Sequence, residues 1–343
     1  MLQYLEYHFK SLCFVTALLI FPVCTMAVQH DGNETITVVE AIFAKPSSEI
    51  DLARAKLTID KLVDPSVDVD ATLAEIDNMV NEIRHGLSSD LTGIDTLLSL
   101  SAFLYESGYW NRNQPLQYDF NDPLGQSINS KLLSNYLDTK KGNCISMPIL
   151  YVIIAEKLGL DVTLSTAPLH VFVKFRDPLT GKYLSLEATD RGQLVNHEFY
   201  KSKSTIKPEA INNGLYLQPL SKKESVGVIA VLLSEYYAEH KQWQNSIDVA
   251  KVVLKHYPNY AYAMIKIGNG YSRLLSEKVA EVKAKKSYTI KEKEYMDHLY
   301  QQNVYWFNKA EKLGWQMPSQ HENETYLNSI KQRRSQLIKA SKG

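Results

Sequence analysis

Cysteine is scarce in this chain. Three occur among 343 residues, and two of them, Cys13 and Cys24, stand in an apolar leader. Without that leader the chain has a single cysteine, Cys144, and no internal disulfide is available to staple it. An excess of either charge is also lacking: Lys+Arg and Asp+Glu both number 38. A general binder of nucleic acid or anionic membrane needs an excess of base, so this balance argues against both. No Gly-rich phosphate loop, CxxC pair or HExxH motif occurs. The spacing therefore implies no metal and no other cofactor.

The leader has the shape of a secretory signal. Met1 to Lys10 is mostly polar and ends in a base, and Leu12 to Cys24 is a nearly unbroken apolar run. That run is shorter than the roughly 20 residues a spanning helix needs. Thr25-Met26-Ala27 follows where a signal peptidase reads, so residues 1–27 are expected to be removed. An uncleaved anchor is the alternative. A lipoprotein fits poorly, because Val23 stands where a small residue should precede Cys24. The expectation is an exported protein, periplasmic or secreted, with no stable membrane insertion after cleavage.

The chain as a whole is ordinary globular material, 45% hydrophobic. Residues 28–48 read as a mobile lead-in, with Ser47-Ser48 capping the first helix. Apolar residues recur at helical spacing in Ile50 to Val63, Asp70 to Leu87 and Gly93 to Tyr109. Gly108 to Asp122 is an aromatic, Asn- and Asp-rich loop, in which Trp110, Tyr118 and Phe120 can wall a cleft or plug the core. Asn129 to Leu137 resumes a helical face, and Lys140 to Asn143 breaks it. Cys144 then opens a helix that is apolar nearly all round and ends at Gly159. Beyond it the period changes. Asp161 to Ser165, His170 to Phe175 and Tyr183 to Thr189 read as strands, the last two joined through Asp177 to Lys182.

A cysteine acts as a nucleophile through its thiolate, which a helix N-terminus and a neighbouring imidazole favour. Cys144 sits where a helix should start, directly after a Gly-Asn turn, and amides there can also receive an oxyanion. His170 opens one strand and Glu187 lies near the end of the next. A carboxylate on a neighbouring strand can fix the imidazole while its other nitrogen faces the thiol. Asn129 and Asn143 are candidate side-chain oxyanion donors.

These residues resemble the transglutaminase-like superfamily. The resemblance rests on Gly142-Asn143-Cys144, the apolar helix closing in Lys157-Leu158-Gly159-Leu160, His170-Val171-Phe172-Val173 and Tyr183-Leu184-Ser185-Leu186-Glu187-Ala188-Thr189. It implies an α+β papain/transglutaminase-like core, helices plus a small antiparallel sheet, with Cys144, His170 and Glu187 as a Cys-His-acid triad. The family usually has Asp where Glu187 stands and Pro where Ala188 stands, which keeps Asp190 as an alternative third member. The chain looks most like a bacterial branch with a helical N-terminal part and a C-terminal tetratricopeptide-like region, many of whose members lack the cysteine.

The C-terminal half supports that organisation. Val228 to Glu239 pairs with Trp243 to His256, and Tyr260 to Leu275 starts a second pair with Asn303 to Leu313. Counting back from Pro258 over a repeat of about 34 residues puts Leu233, Tyr237, Ser246, Ala250 and Val253 at packing positions, with Gly268 and Tyr271 following in register. Glu277 to Glu294 is a charged insertion expected as a solvated helix or loop. The expected division is a signal over 1–27, a cysteine domain over 28–220 and tetratricopeptide-like, all-α repeats over 221–335. Two functions remain open: a thiol enzyme acting on an amide or peptide bond by hydrolysis or acyl transfer, and a catalytically silent module that binds a protein or peptide partner through the repeats.

Overall fold

The computed structural model describes residues 32–87, 92–123 and 125–340. The expected signal, with Cys13 and Cys24, lies outside them.

The first described element corrects the expectation of a mobile lead-in. Gly32–Ala44 forms helix α1. Its buried residues Thr35, Val39 and Phe43 recur every four positions, one stripe of a helix. Helix α2 (Leu52–Val63) is capped by Asp51, whose carboxylate accepts the Arg54 amide at 3.1 Å, while Ser47–Glu49 is a separate 3-10 turn. Asp68 caps α3 (Val69–Gly86), and a Thr92/Asp95 capping box starts α4 (Gly93–Tyr105).

Inside this helical layer lies a fully buried ion pair. The Lys56 ammonium bonds the Asp60 carboxylate and the Lys131 carbonyl, the latter at 2.8 Å. Asp60 also accepts the Leu133 amide at 2.8 Å. Burial pushes the lysine down and the aspartate up, and their mutual attraction opposes both shifts. The pair therefore pins α2 to the chain that leads toward Cys144.

That chain begins in the aromatic loop, which is more ordered than its sequence suggests. Gln117–Tyr118 (β1) pairs in parallel with Lys141–Gly142 (β2). Between them lie a 3-10 turn at Asn129–Lys131 and helix α5 (Leu133–Thr139). Helix α6 (Ser146–Lys157) comes next and is buried from Ser146 through Ala155. Pro148 sits in its first turn, where a missing N–H costs nothing.

A four-stranded antiparallel sheet packs on α6. Its strands are β3 (Val162–Ala167), β4 (His170–Arg176), β5 (Tyr183–Glu187) and β6 (Gln193–Val195), in that order. The fourth strand was not expected. Alternation sends Val171, Val173 and Phe175 into the main core with Leu164 and Leu186. The opposite face presents Phe172 to a second cluster with Tyr200 and Leu217. Tyr200 comes from α7 (His197–Lys203), one of two short helices, with α8 (Pro208–Asn212), that had no clear apolar period.

The remainder is all helical: α9 (Lys222–Glu239), α10 (Trp243–His256), α11 (Ala261–Lys285), α12 (Ile290–Lys312) and α13 (Gln320–Ala340). Leu233, Tyr237, Ser246, Ala250 and Val253 are all buried, as are Gly268 and Tyr271. Gly268 has no room for a side chain, since a Cβ there would meet the Phe307 ring at 2.8 Å. The charged insertion forms the extended ends of α11 and α12, tied by a Lys278–Glu292 ion pair of 2.9 Å. Helix α9 packs on α2 and β3, so the helical region rests directly on the cysteine-bearing half. Helix α1 packs on α9 and α10: Phe43 stacks on His256 at 4.2 Å, and Tyr237 donates to the Thr35 hydroxyl at 2.6 Å. No helix among the described residues is long and apolar enough to cross a membrane.

Candidate active site

Cys144 stands in the turn between β2 and α6, two residues before the helix begins. The turn is built from both sides. Gly142 is pressed against Tyr136 and Met147, and a Cβ there would fall 2.6 Å from the tyrosine ring. Asn143 is fully buried and acts as a cap. Its side-chain oxygen accepts the amides of Ile145 at 2.9 Å and Ser146 at 3.1 Å. Its side-chain nitrogen donates to the Ser130 hydroxyl at 3.0 Å, and that hydroxyl donates to Asp122 at 2.7 Å. Asn143 is thus committed on both ends and does not serve as a free oxyanion donor, and Asn129 is exposed on its 3-10 turn. The Asp122–Ser130–Asn143 relay was not foreseen; the sequence offered only an Asn before the cysteine.

His170 is delivered by the β3–β4 hairpin. Ala167 pairs with His170, which leaves Pro168-Leu169 as a two-residue turn. Leu169 adopts φ +56°, a left-handed conformation that costs a non-glycine roughly 1–2 kcal/mol. Its carbonyl lies 3.9 Å from the Cys144 sulfur and accepts the thiol.

Glu187 reaches His170 through the sheet register. Val173 pairs with Leu186, which sets Glu187 beside Phe172, on the same face as His170 and one diagonal step away. The His170 Nε2 meets the Glu187 carboxylate at 2.7 Å. The other Glu187 oxygen accepts the Thr189 amide at 3.0 Å and the Thr189 hydroxyl at 2.6 Å. The extra methylene of Glu over Asp is therefore accommodated. Asp190, the alternative, lies on the following 3-10 turn and lines the neighbouring cavity. With Nε2 occupied, the ring's Nδ1 is buried and has no hydrogen-bond partner among the described residues, and the Leu169 carbonyl next to it accepts the Cys144 thiol.

The electrostatics follow from burial and charge. The His170 side chain is 13% exposed and that of Glu187 is 2%. Burial alone pushes the ring toward its neutral form. The Glu187 charge and the Cys144 side chain outweigh it, and the pKa rises to about 10. Burial likewise acts to raise Glu187, but the His170 charge and the two Thr189 donors hold the carboxyl below its ordinary range. Both directions describe a carboxylate–imidazolium pair that persists through neutral pH.

A cavity of about 530 Å³ opens on His170 and Glu187. Tyr118 and Phe120 from the aromatic loop are among its walls, whereas Trp110 is not. Tyr200 stands between the cavity and the sheet, 6.0 Å from the His170 ring and stacked on Phe172 at 4.0 Å. Nothing local in the sequence marked Tyr200, because only the packing of α7 on the sheet brings it there. Cys144 itself is 5% exposed and is not one of the cavity's walls. Among the described residues no group of three His, Cys, Asp or Glu could hold a metal ion.

Comparison with known proteins adds independent information. Residues 70–227 match the transglutaminase-like superfamily. Two curated proteins, both named UPF0162 protein, are similar over a longer stretch. One, from Buchnera aphidicola subsp. Acyrthosiphon pisum, is 26% identical over 216 residues, covering 61% of this chain and 75% of its own length. The other, from Buchnera aphidicola subsp. Schizaphis graminum, is 25% identical over 213 residues, covering 61% and 74%. The matched segment contains the turn of Cys144, the hairpin of His170 and the strand of Glu187, and over this segment, less than half of the chain, the protein is similar to the transglutaminase-like superfamily.

Proposed function

We propose that this protein is a thiol enzyme acting on an amide or peptide bond, by hydrolysis or acyl transfer. One observation carries the reading: Glu187 holds the His170 ring by Nε2 at 2.7 Å and leaves its Nδ1 buried and unpartnered, while the adjoining Leu169 carbonyl accepts the Cys144 thiol at 3.9 Å. In this reaction the Cys144 thiol passes its proton to the His170 ring, and the sulfur attacks the amide carbonyl to form a C–S bond. The His170 ring gives its proton to the leaving amine as the C–N bond breaks, leaving a thioester. Water or an amine then attacks the thioester, the ring takes the incoming proton, and the sulfur departs. Asn143 occupies the amides of Ile145 and Ser146, so the Cys144 amide is the one left at this turn to receive the oxyanion. The leader before Val28 supports an exported location. Fractionation checks this: full-length protein retained in the cytoplasm counts against it.

The test of the chemistry is the rate at which iodoacetamide labels Cys144 near neutral pH. Labelling should exceed that of a free cysteine, and His170→Ala should slow it by about a hundredfold. If Cys144 labels no faster than free cysteine and His170→Ala changes nothing, the enzyme reading fails.

The 5% exposure of Cys144 favours a second reading, an interaction module that binds a protein or peptide without chemistry. The tetratricopeptide-like register of α9 to α12 supports it as the docking element. A crosslinking pull-down separates the two. Unchanged partners and phenotype in Cys144→Ala support the module, and loss of phenotype with partners retained supports the enzyme.

A further inference from the structure

We infer that the cavity beside His170 and Glu187 is a subsite for an aromatic or long aliphatic side chain, carried by the residue that supplies the acyl group. This rests on the enzyme reading above and adds the class of substrate. The volume of about 530 Å³ suits a peptide-sized ligand. Tyr118, Phe120, Phe199, Tyr200, Tyr216 and Met317 contribute apolar faces to the walls. Flat π faces and a thioether bind apolar bodies well and offer a charged group no compensation for lost water.

The charged residues on the walls do not alter that chemistry. Glu322 is taken, because its carboxylate accepts the Ser319 amide at 2.8 Å and the Thr205 amide at 3.3 Å. Asp190 has partners within the protein. Lys203 is exposed and lies over the Phe199 ring at 5.4 Å. An acidic or basic side chain entering here would be desolvated, and the one buried charge pair on the walls, His170 with Glu187, is already matched to itself at 2.7 Å. Position links the cavity to the reaction, since its walls include both His170 and the Leu169 turn whose carbonyl contacts the sulfur.

Binding can be tested apart from chemistry in the full chain carrying Cys144→Ala. N-acetyl-phenylalaninamide should bind saturably by NMR titration, and N-acetyl-aspartamide should bind at least about tenfold more weakly. Adding Phe120→Ala should weaken the phenylalanine amide by about tenfold or more and leave the aspartate amide unchanged. Equal binding of both amides, binding of neither, or no effect of Phe120→Ala overturns the proposal. Protection of wild-type Cys144 from iodoacetamide by N-acetyl-phenylalaninal, but not by the aspartate aldehyde, should accompany selective binding. Selective binding in Cys144→Ala with no fast labelling of the wild type would remove the enzyme reading and leave the apolar site standing. Fast labelling with unselective binding would do the reverse.

Discussion

At the scale of single residues the site depends on one ion pair and one cap. Replacing Glu187 by Gln removes the charge that holds the His170 proton. The His170 pKa should fall from about 10 toward the ordinary 6.5, read by NMR titration of the ring. Labelling of Cys144 should slow by about a hundredfold. The same pair makes a signed contribution to stability. His170 is raised above its unfolded value, so its contribution is fully present below about pH 6.5 and is lost as pH rises through about 10. Glu187 is lowered, so its contribution is present above about pH 4.5 and is lost as pH falls through its folded value. Urea unfolding from pH 5 to pH 10.5 should show His170→Gln costing stability at the acid end of this range and progressively less toward about pH 10. A constant difference would mean that the two side chains do not form the pair. That His170 and Glu187 would meet was legible in the chain, because each stands at the end of a recognisable strand. The cap was not: Asn143 reads equally well as a donor, and only its fourfold use by Ile145, Ser146 and Ser130 on the side chain and Met147 on the carbonyl decides the matter.

At the scale of elements, helix α1 is the clearest departure from expectation. Residues 28–48 look polar because only one face of the helix is apolar, and a short stripe is weak evidence until a partner surface is known. That surface belongs to α9 and α10, some two hundred positions later. Phe43→Ala should therefore cost about 3 kcal/mol in urea unfolding, the usual penalty for emptying a buried aromatic site. A cost near zero would show that α1 is not packed there. The buried Lys56–Asp60 pair makes a second test between elements. Asp60→Asn leaves the ammonium buried without its counter-charge and should cost about 3–5 kcal/mol. It should also slow Cys144 labelling, because Asp60 holds the Leu133 amide on the approach to β2.

At the scale of the whole molecule, the cysteine-bearing half and the helical region meet at a shared polar hub. Glu235 of α9 pairs with Lys131, lies 3.8 Å from Lys266 of α11 and accepts the Tyr262 hydroxyl at 2.6 Å. Burial acts to raise this carboxyl, and the two lysines hold it below its ordinary range. Lys131 is also the residue whose carbonyl receives Lys56, so the hub and the buried pair share one segment. Glu235→Gln should destabilise the protein by about 3 kcal/mol or more in urea unfolding, since it strands two largely buried ammonium groups. The two halves should still unfold in one transition, because α9 also contributes a nearly continuous apolar surface to the common core. Two separate transitions in the variant would show that the hub, rather than the core, joins them.

The sequence by itself determined the α+β class of the cysteine-bearing half, the helical character of the C-terminal half and the order of Cys144, His170 and Glu187 along the chain. Those features are local: a change of hydrophobic period, a Gly-Asn turn and strands ending in chemistry-bearing residues. Only the tertiary structure decided that the diagonal of the β4–β5 register joins His170 to Glu187 and that the Leu169 turn meets the sulfur. The same holds for Tyr200 at the cavity wall and for α1 against α9. Each of these depends on surfaces far apart in the chain, and no local pattern of residues records which distant surface a given face will cover.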